Sequence, residues 1–293
     1  MLVLALMGIS QASANVNVFA CEPEWAALVK ELGGDKVKVS SATSALQDPH
    51  HIEARPSLIA RARNADLLVC TGLELEVGWL PVLIQQSGNS KIAPRQPGNF
   101  EAGNYVNRLE IPNQVDRSDG DVHALGNPHI QQNPHNILLV AVALSKRLGE
   151  IDPVNDVFYQ QRFKDFSSRW TGAMQKWESS AKSLKGITVI EHHKNMEYLF
   201  SWLGIKAVGT LEPKPGVEPS AAHLSQLLNQ LRTQPVKMII RASYQDERAS
   251  KWLSERANIK AIELPFTVGG TSQSNDLFTF FDDTIQRLLD GVK

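Results

Sequence analysis

The residues of this chain best suited to do chemistry are its histidines, and they do not scatter. Of eight, His50 and His51 are adjacent, His123, His129 and His135 recur within one short stretch, His192 and His193 are again adjacent, and only His223 stands alone. Neutral imidazole ligates borderline transition metals and titrates closest to neutral pH. The grouping therefore points either to a metal or to acid–base work. Two cysteines, Cys21 and Cys70, are too few for a thiolate-only cluster or a disulfide-dense miniature fold. No His-Glu-x-x-His string occurs, so the most recognisable zinc-hydrolase signature is missing.

Histidines this far apart need a scaffold to meet on. From Asn15 onward, short β-branched runs alternate with helical patterns: Val16 to Cys21, Glu24 to Leu32, Val37 to Ser41, Pro56 to Asn64 and Asp66 to Cys70. A second series starts after Gly186: Ile187 to Ile190, Met196 to Leu203, Ala207 to Leu211, Ala221 to Leu231, Val236 to Ile240, Glu247 to Arg256, Ala261 to Leu264 and Leu277 to Leu289. Such alternation predicts parallel sheets flanked by helices, hence two α/β lobes. Between the series, Tyr159, Phe163, Phe166, Trp170, Met174, Trp177, Ala181 and Leu184 recur at steps of three and four, one face of a long helix. Taken from Val154 to Lys185, that helix would be roughly 45 Å long and would run along both lobes as a spine that restricts hinge closure. The stretch from Arg95 to Asn133 reads as a long loop with one short strand at Tyr105 to Ile111.

In open α/β lobes ligands sit outside the carboxyl ends of the strands. His50/His51 follow Val37–Ser41 by a short loop, His192/His193 directly follow Ile187–Ile190, His129 closes the long loop, and Asp276 precedes the last helix. With 30 Lys and Arg against 31 Asp and Glu, the net charge of −1 removes any electrostatic case for nucleic acid.

The strings QDPHHIEARPS, NPHIQQNP and HHKNMEYLFSWLGI, the run Glu218-Pro219-Ser220 followed by Leu224, and the closing SNDLFTFFDDTIQRLL stand in the order and spacing of the zinc- and manganese-binding periplasmic solute receptors of bacterial ABC importers. The chain resembles that family over essentially its whole length. The resemblance implies two pseudo-symmetric α/β lobes with central, mostly parallel sheets joined by one long spine helix, and a transition metal held between them by four side chains. Position by position it places the ligands at His50, His129, His193 and Asp276. The Asp-Pro register favours His50 over His51, and the spacing to Tyr198 favours His193 over His192. Gln131 and Gln132 depart from the aromatic and aliphatic residues usual in relatives, which bears on local packing.

Three imidazoles and a carboxylate suit Zn²⁺ at about 2.0–2.2 Å better than Mn²⁺, which prefers more oxygen. A shell filled by protein leaves no position for an activated water, which favours carriage over hydrolysis. Asp48, Glu53 and Glu191 are candidates to orient the ligating rings. His123, flanked by Asp119 and Asp121, is a candidate capture residue on the long loop, while His135 and His223 read as structural and Asp282 and Asp283 as a solvated helix face. Arg241 reads as a structural ion-pair partner. The functional expectation is a zinc receptor, monomeric, serving an ABC permease and with a periplasmic metallochaperone as a candidate second partner. Its affinity is expected to fall as acid protonates the imidazoles. The alternatives are a manganese-specific receptor, a metal-dependent hydrolase using the same histidines with Glu191 or Asp48 as base, and a receptor for a sugar or amino acid.

Expected boundaries are residues 1–14 for a signal peptide cleaved near Ala14, 15–152 for the N-terminal lobe, 153–185 for the spine and 186–293 for the C-terminal lobe. Export to the periplasm follows from Met1 to Gly8 and the Ala12-Ser13-Ala14 site. If the first sheet has the order 2-1-3-4, Cys21 and Cys70 end neighbouring strands and an exported protein could bridge them. The rival is lipidation of Cys21, for which Phe19 is a poor fit.

Overall fold

The computed structural model describes residues 15–114 and 120–293. The expected signal peptide, 1–14, lies outside them. The first sheet is built from β1 (Val16–Ala20), β2 (Val37–Ser41), β3 (Leu67–Cys70) and β4 (Asn99–Glu101), all parallel, in the order β2-β1-β3-β4. The second repeats the pattern with β5 (Thr188–Glu191), β6 (Lys206–Thr210), β7 (Met238–Ala242) and β8 (Lys260–Leu264), ordered β6-β5-β7-β8. In both sheets the order reverses beside the first strand, which opens a crevice at the carboxyl ends.

The helices follow from local sequence. Pro23 opens α1 (Pro23–Gly33) at a position where its missing N–H costs nothing, and Gly34 at φ 53° ends it. Asn133 caps α4 (Pro134–Ile151) by accepting from the His135 N–H. The spine is shorter than its periodicity suggests: α5 covers Asp156–Ser180, about 38 Å at ~1.5 Å per residue, with a tighter 3₁₀ turn on either side, Pro153–Asn155 and Ala181–Leu184. Its stripe is buried as expected, through Tyr159, Phe166, Trp170, Met174 and Trp177.

One correction concerns the long connection. Tyr105–Ile111 does not form a strand; the fourth strand is β4, just upstream. The physical reason lies in the hydrogen bonds: the Leu109 N–H donates to the Tyr198 hydroxyl and the Leu109 carbonyl accepts from the Asn127 N–H, so this segment crosses to the second sheet's helices instead of extending the first sheet.

Strand alternation divides the apolar residues between two faces. Val16, Val18 and Ala20 of β1, Leu67 and Val69 of β3, and Val189, Met238 and Ile240 of β5 and β7 all join one continuous core with α1, α4, α5 and α9 (Leu277–Gly291). Phe19, Cys21, Leu68 and Cys70 point the other way into a smaller outer core, and Ile190 and Ile239 into its counterpart on the second sheet. Cys21 and Cys70 are joined as a disulfide, which excludes the lipidated alternative for Cys21. At the centre of the shared core Trp170 packs edge-on to Trp177 and Phe281 with ring centroids 5.2 and 5.6 Å away. Trp170 donates to the Pro134 carbonyl at 2.9 Å and Trp177 to Asp282 at 2.9 Å. Asp282 is therefore a partner of the spine and not merely solvated; Asp283, nearly buried, accepts from Thr271 and Arg287. Arg241 pairs with Glu263, as its place at the strand end suggested.

Two polar contacts add to this core at the seam. Gln132 donates to the Phe266 carbonyl at 2.8 Å, which gives the unusual glutamine a structural use. Thr267 donates to Glu24, a fully buried carboxyl that burial pushes up to about 7. Glu22 and Glu76 lie in the same buried group, Glu76 raised to about 7 and Glu22 well above the ordinary range, in each case chiefly by burial.

Two expectations follow. Trp170→Ala should cost about 3–5 kcal/mol and lower one cooperative thermal transition of the whole chain; two separate transitions, one per sheet, would show that the core is not shared. A carboxyl raised on folding contributes stability that is full below its unfolded value of 4.5 and is lost as pH rises through about 7. Glu24→Gln removes that loss, so its melting temperature should match wild type near about pH 5 and exceed it near about pH 8. A difference that stays flat across that range would refute the assignment.

Candidate metal centre

Three short segments bring the histidines together. The loop after β2 turns at Asp48-Pro49, where Asp48 Oδ1 accepts from the His50 backbone N–H at 3.0 Å and Trp79 Nε1 holds the Pro49 carbonyl at 2.9 Å. His129 sits between Asn127-Pro128 and the 3₁₀ turn Ile130–Gln132, its N–H bonded to Asn127 Oδ1 at 3.0 Å. His193 leaves the end of β5, where the His192 N–H still pairs with the Ile240 carbonyl of β7. Tyr198, on α6 (Glu197–Leu203), donates to the Asn127 carbonyl at 2.9 Å and so ties the His193 helix to the His129 loop.

The result is compact. Ligand atoms of His50, His129 and His193 all lie within 4.8 Å of one another, and all three side chains are buried. His123 joins them: its Nε2 is 3.3 Å from His50 Nε2 and the two rings stack at 5.3 Å. Three imidazoles from fixed junctions therefore form one cluster, and a fourth, from the long connection, stands beside it against His50. Asp276 does not join this group. It is exposed at the start of α9, where its Oδ1 accepts from the Thr279 N–H at 2.7 Å and from the Thr279 hydroxyl at 2.9 Å, a reciprocal helix cap. The pattern that singled it out, an acid opening the last helix, is equally the pattern of a cap, and here the cap holds the carboxylate.

The remaining histidines sort by partner. His51 is exposed, with Nε2 3.6 Å from Asp121 Oδ2. His192 is buried, 3.8 Å from Glu212 Oε1, the other oxygen of the carboxylate that holds His193. His135 pairs with Glu178 at 2.8 Å, and His223 with the Thr210 carbonyl at 2.9 Å.

Burial sets the charge state. It lowers His129 well below the ordinary imidazole range, and repulsion from His50, His193 and His123 acts in the same direction. His123 is pushed down to about 4, again first by burial and then by His50 and His193. Both rings are neutral at neutral pH with lone pairs ready for a cation. The His129 Nδ1 is buried without any partner, as a ring nitrogen kept for a ligand would be.

The sequence profile described as "Zinc-uptake complex component A periplasmic" (ZnuA) matches residues 18–291. The chain belongs to this family. Its members are periplasmic metal-binding solute receptors of ABC importers, a transport role and not an enzyme's. The manganese ABC transporter substrate-binding lipoprotein PsaA of Streptococcus pneumoniae is 25% identical over 261 residues, covering 87% of this chain and 81% of its own. Its counterpart scaA of Streptococcus gordonii is 26% identical over 263 residues, with 87% and 81% covered. A crystal structure of ZnuA superposes with a TM-score of 0.79 at 20% identity, covering 95% of this chain and 100% of that one. A Mn-bound periplasmic metal binding protein from candidatus Liberibacter asiaticus superposes at 0.77 with 16% identity and the same coverage. These two likenesses establish the fold.

In this receptor the carboxylates stand behind the imidazoles. Asp48 Oδ1 lies 2.7 Å from His50 Nδ1 and Glu212 Oε2 lies 2.7 Å from His193 Nδ1. Each carboxylate accepts the Nδ1 proton and leaves Nε2 unprotonated toward the cluster, which fixes the tautomer a metal needs. Burial works to raise Asp48, but the hydrogen bonds and charge of His50 outweigh it, so the carboxyl is held below its ordinary range. Glu53 and Glu191 have no such contact with a clustered ring among the described residues. Glu212 was not foreseen; its one sequence signal is its place just past β6, beside β5 at the carboxyl edge of the sheet.

Glu212→Gln or Asp48→Asn should leave the fold intact and weaken metal binding about 10- to 100-fold. Chelator competition against wild type measures this, and equal affinities would remove both carboxylates from the site.

Proposed function

We propose that this receptor carries Zn²⁺ between its lobes, bound by His50, His129, His193 and His123, and delivers it to an ABC permease. The observation that carries the reading is the donor set: three imidazoles cluster within 4.8 Å of one another, His123 adjoins them through His50, and the carboxylates Asp48 and Glu212 are engaged by the Nδ1 side of two of those rings. All-nitrogen tetrahedral coordination suits Zn²⁺, whereas Mn²⁺ prefers oxygen and a larger coordination number. Asp276 would have to leave its helix cap to take part. The shared core favours release by local displacement of the histidine-bearing loops over rotation of whole lobes, and a monomer suffices because every proposed ligand comes from one chain.

A second reading has its own support. PsaA and scaA are named as manganese proteins. If the chain follows them, the site would recruit oxygen by adjusting Asp48 or Glu212, or by admitting water.

Elemental analysis of the purified protein, paired with titrations of Zn²⁺ and Mn²⁺ against a competing chelator, separates the two. The zinc reading expects one tightly held zinc per chain, preference for Zn²⁺ over Mn²⁺ by more than about a hundredfold, and loss of tight binding in His129→Ala. Preferential retention of manganese would overturn it in favour of the second reading; no bound divalent metal would defeat both.

A further inference from the structure

The segment Gly120–Ala124 departs from the first lobe and lies against a turn of the second. Lys214-Pro215-Gly216-Val217 forms that turn, closed by the Val217 N–H on the Lys214 carbonyl at 3.0 Å, with Gly216 at φ 74° in the position where only a residue without Cβ sits easily. The turn aims the Pro215 carbonyl at the Asp121 N–H, 2.9 Å away. Both sides of the contact are glycines for want of room: a Cβ on Gly120 would lie 2.0 Å from the Pro215 oxygen, and one on Gly216 would lie 2.2 Å from Asp121 Oδ2. On the Gly120 side two backbones meet too closely for a Cβ, while on the Gly216 side the close neighbour is the Asp121 carboxylate and it is the left-handed backbone that favours glycine.

Each side of the contact runs to an imidazole of the cluster. On the first-lobe side, His123 is two residues past Asp121, and Ala124 is tied down by its N–H on Glu74 Oε2 at 2.7 Å. Glu74 belongs to three successive left-handed residues, Gly72, Leu73 and Glu74 at φ 73, 54 and 69°, a strained arrangement that persists only where its surroundings impose it. On the second-lobe side, the Gly216 N–H donates at 2.9 Å to the same Glu212 oxygen that holds His193 Nδ1.

We propose that Gly120–Asp121 and Pro215–Gly216 form a latch across the mouth of the site, positioning His123 over the bound metal and setting the rate at which the metal leaves. The proposal rests on the metal-receptor reading and adds to it the residues that control escape. The latch is made of one interlobe backbone hydrogen bond, one close backbone approach at Gly120 and the packing of the Asp121 carboxylate against Gly216, so it opens without disturbing the core. Opening it withdraws one imidazole and loosens the carboxylate behind another.

The test is a chelator chase by stopped flow on the full chain loaded with Zn²⁺, or with Co²⁺ as a visible reporter of coordination. Gly120→Ala and Gly216→Ala wedge the latch from opposite sides; Glu74→Ala removes its second anchor without adding a clash. Gly88→Ala is the control, because Gly88 has φ 63° but open space around its absent Cβ. The latch predicts dissociation faster by about tenfold or more in the first two variants and by a smaller factor in Glu74→Ala, with little change in association rate. It also predicts an altered Co²⁺ visible spectrum and a wild-type melting temperature for metal-free Glu74→Ala. Gly88→Ala should dissociate like wild type. Wild type that holds metal while all three variants release it no faster than Gly88→Ala overturns the latch alone; wild type that holds no divalent metal overturns the receptor reading and the latch with it.

Discussion

Everything about the site depends on the two sheets sharing one apolar core. Were each sheet to close its own core, the loops bearing His50, His129 and His193 could drift relative to one another, and a donor cluster within 4.8 Å would have nothing to hold it. The spine supplies the constraint: Trp170 and Trp177 on α5 pack against Phe281 on α9, while the opposite end of the same stripe reaches α1 and α4. Tyr198, Gln132 and Thr267 then fasten the upper seam with hydrogen bonds that cross between lobes. Parallel strands running toward that seam from both sides aim their carboxyl ends at each other, and the junction loops meet there.

The electrostatics answer a specific difficulty. Several imidazoles converging in a buried space cannot all be protonated, and burial resolves this by keeping His129 and His123 neutral. A dication entering this cluster would bring uncompensated charge into a low-dielectric site. Asp48 and Glu212 supply the compensation from the far side of two of the rings, 2.7 Å from their Nδ1 atoms, where they also choose the tautomer. A chain with net charge of −1 thus needs no acidic surface to attract its cargo.

Much of this was legible in the sequence, and the reasons differ by residue. The β-branched runs and the aromatic stripe of the spine are strong periodic signals, and every strand but β4, together with α5, formed where those signals stand. His50, His129 and His193 lie at strand-to-loop junctions flanked by Pro or by a strand end, so topology alone brought them to one edge. Asp276 carries two readings, because an acid before a helix serves equally as cap and as ligand, and its bond with Thr279 is that of the cap. Tyr105–Ile111 misled because extended backbone becomes a strand only if a neighbouring strand offers its hydrogen bonds, and here Tyr198 and Asn127 offer them first. The place of His123 depends on a contact with His50, 73 residues away, and Glu212 reaches His193 across the β5–β6 connection; neither pairing follows a spacing that carries a signal.

The shared core also limits how cargo can leave. Separating the lobes as rigid bodies would expose Trp170, Phe281 and their neighbours and would strand the buried groups Glu24 and Gln132 without their partners Thr267 and the Phe266 carbonyl, costs that add to several kcal/mol at the usual values for apolar area and for unpaired buried polar groups. Lifting Gly120–Ala124 breaks the Asp121 N–H bond to the Pro215 carbonyl, the Ala124 N–H bond to Glu74 and the His123–His50 contact, in a segment that is already partly solvent-exposed. The cheaper motion is the local one, and it acts on the imidazole that comes from a loop. A receptor must hold its metal in solution yet surrender it on docking, and a fixed three-histidine floor beneath a removable fourth side separates those two demands: the floor sets how well the site fits the metal, and the strap sets how long the metal stays.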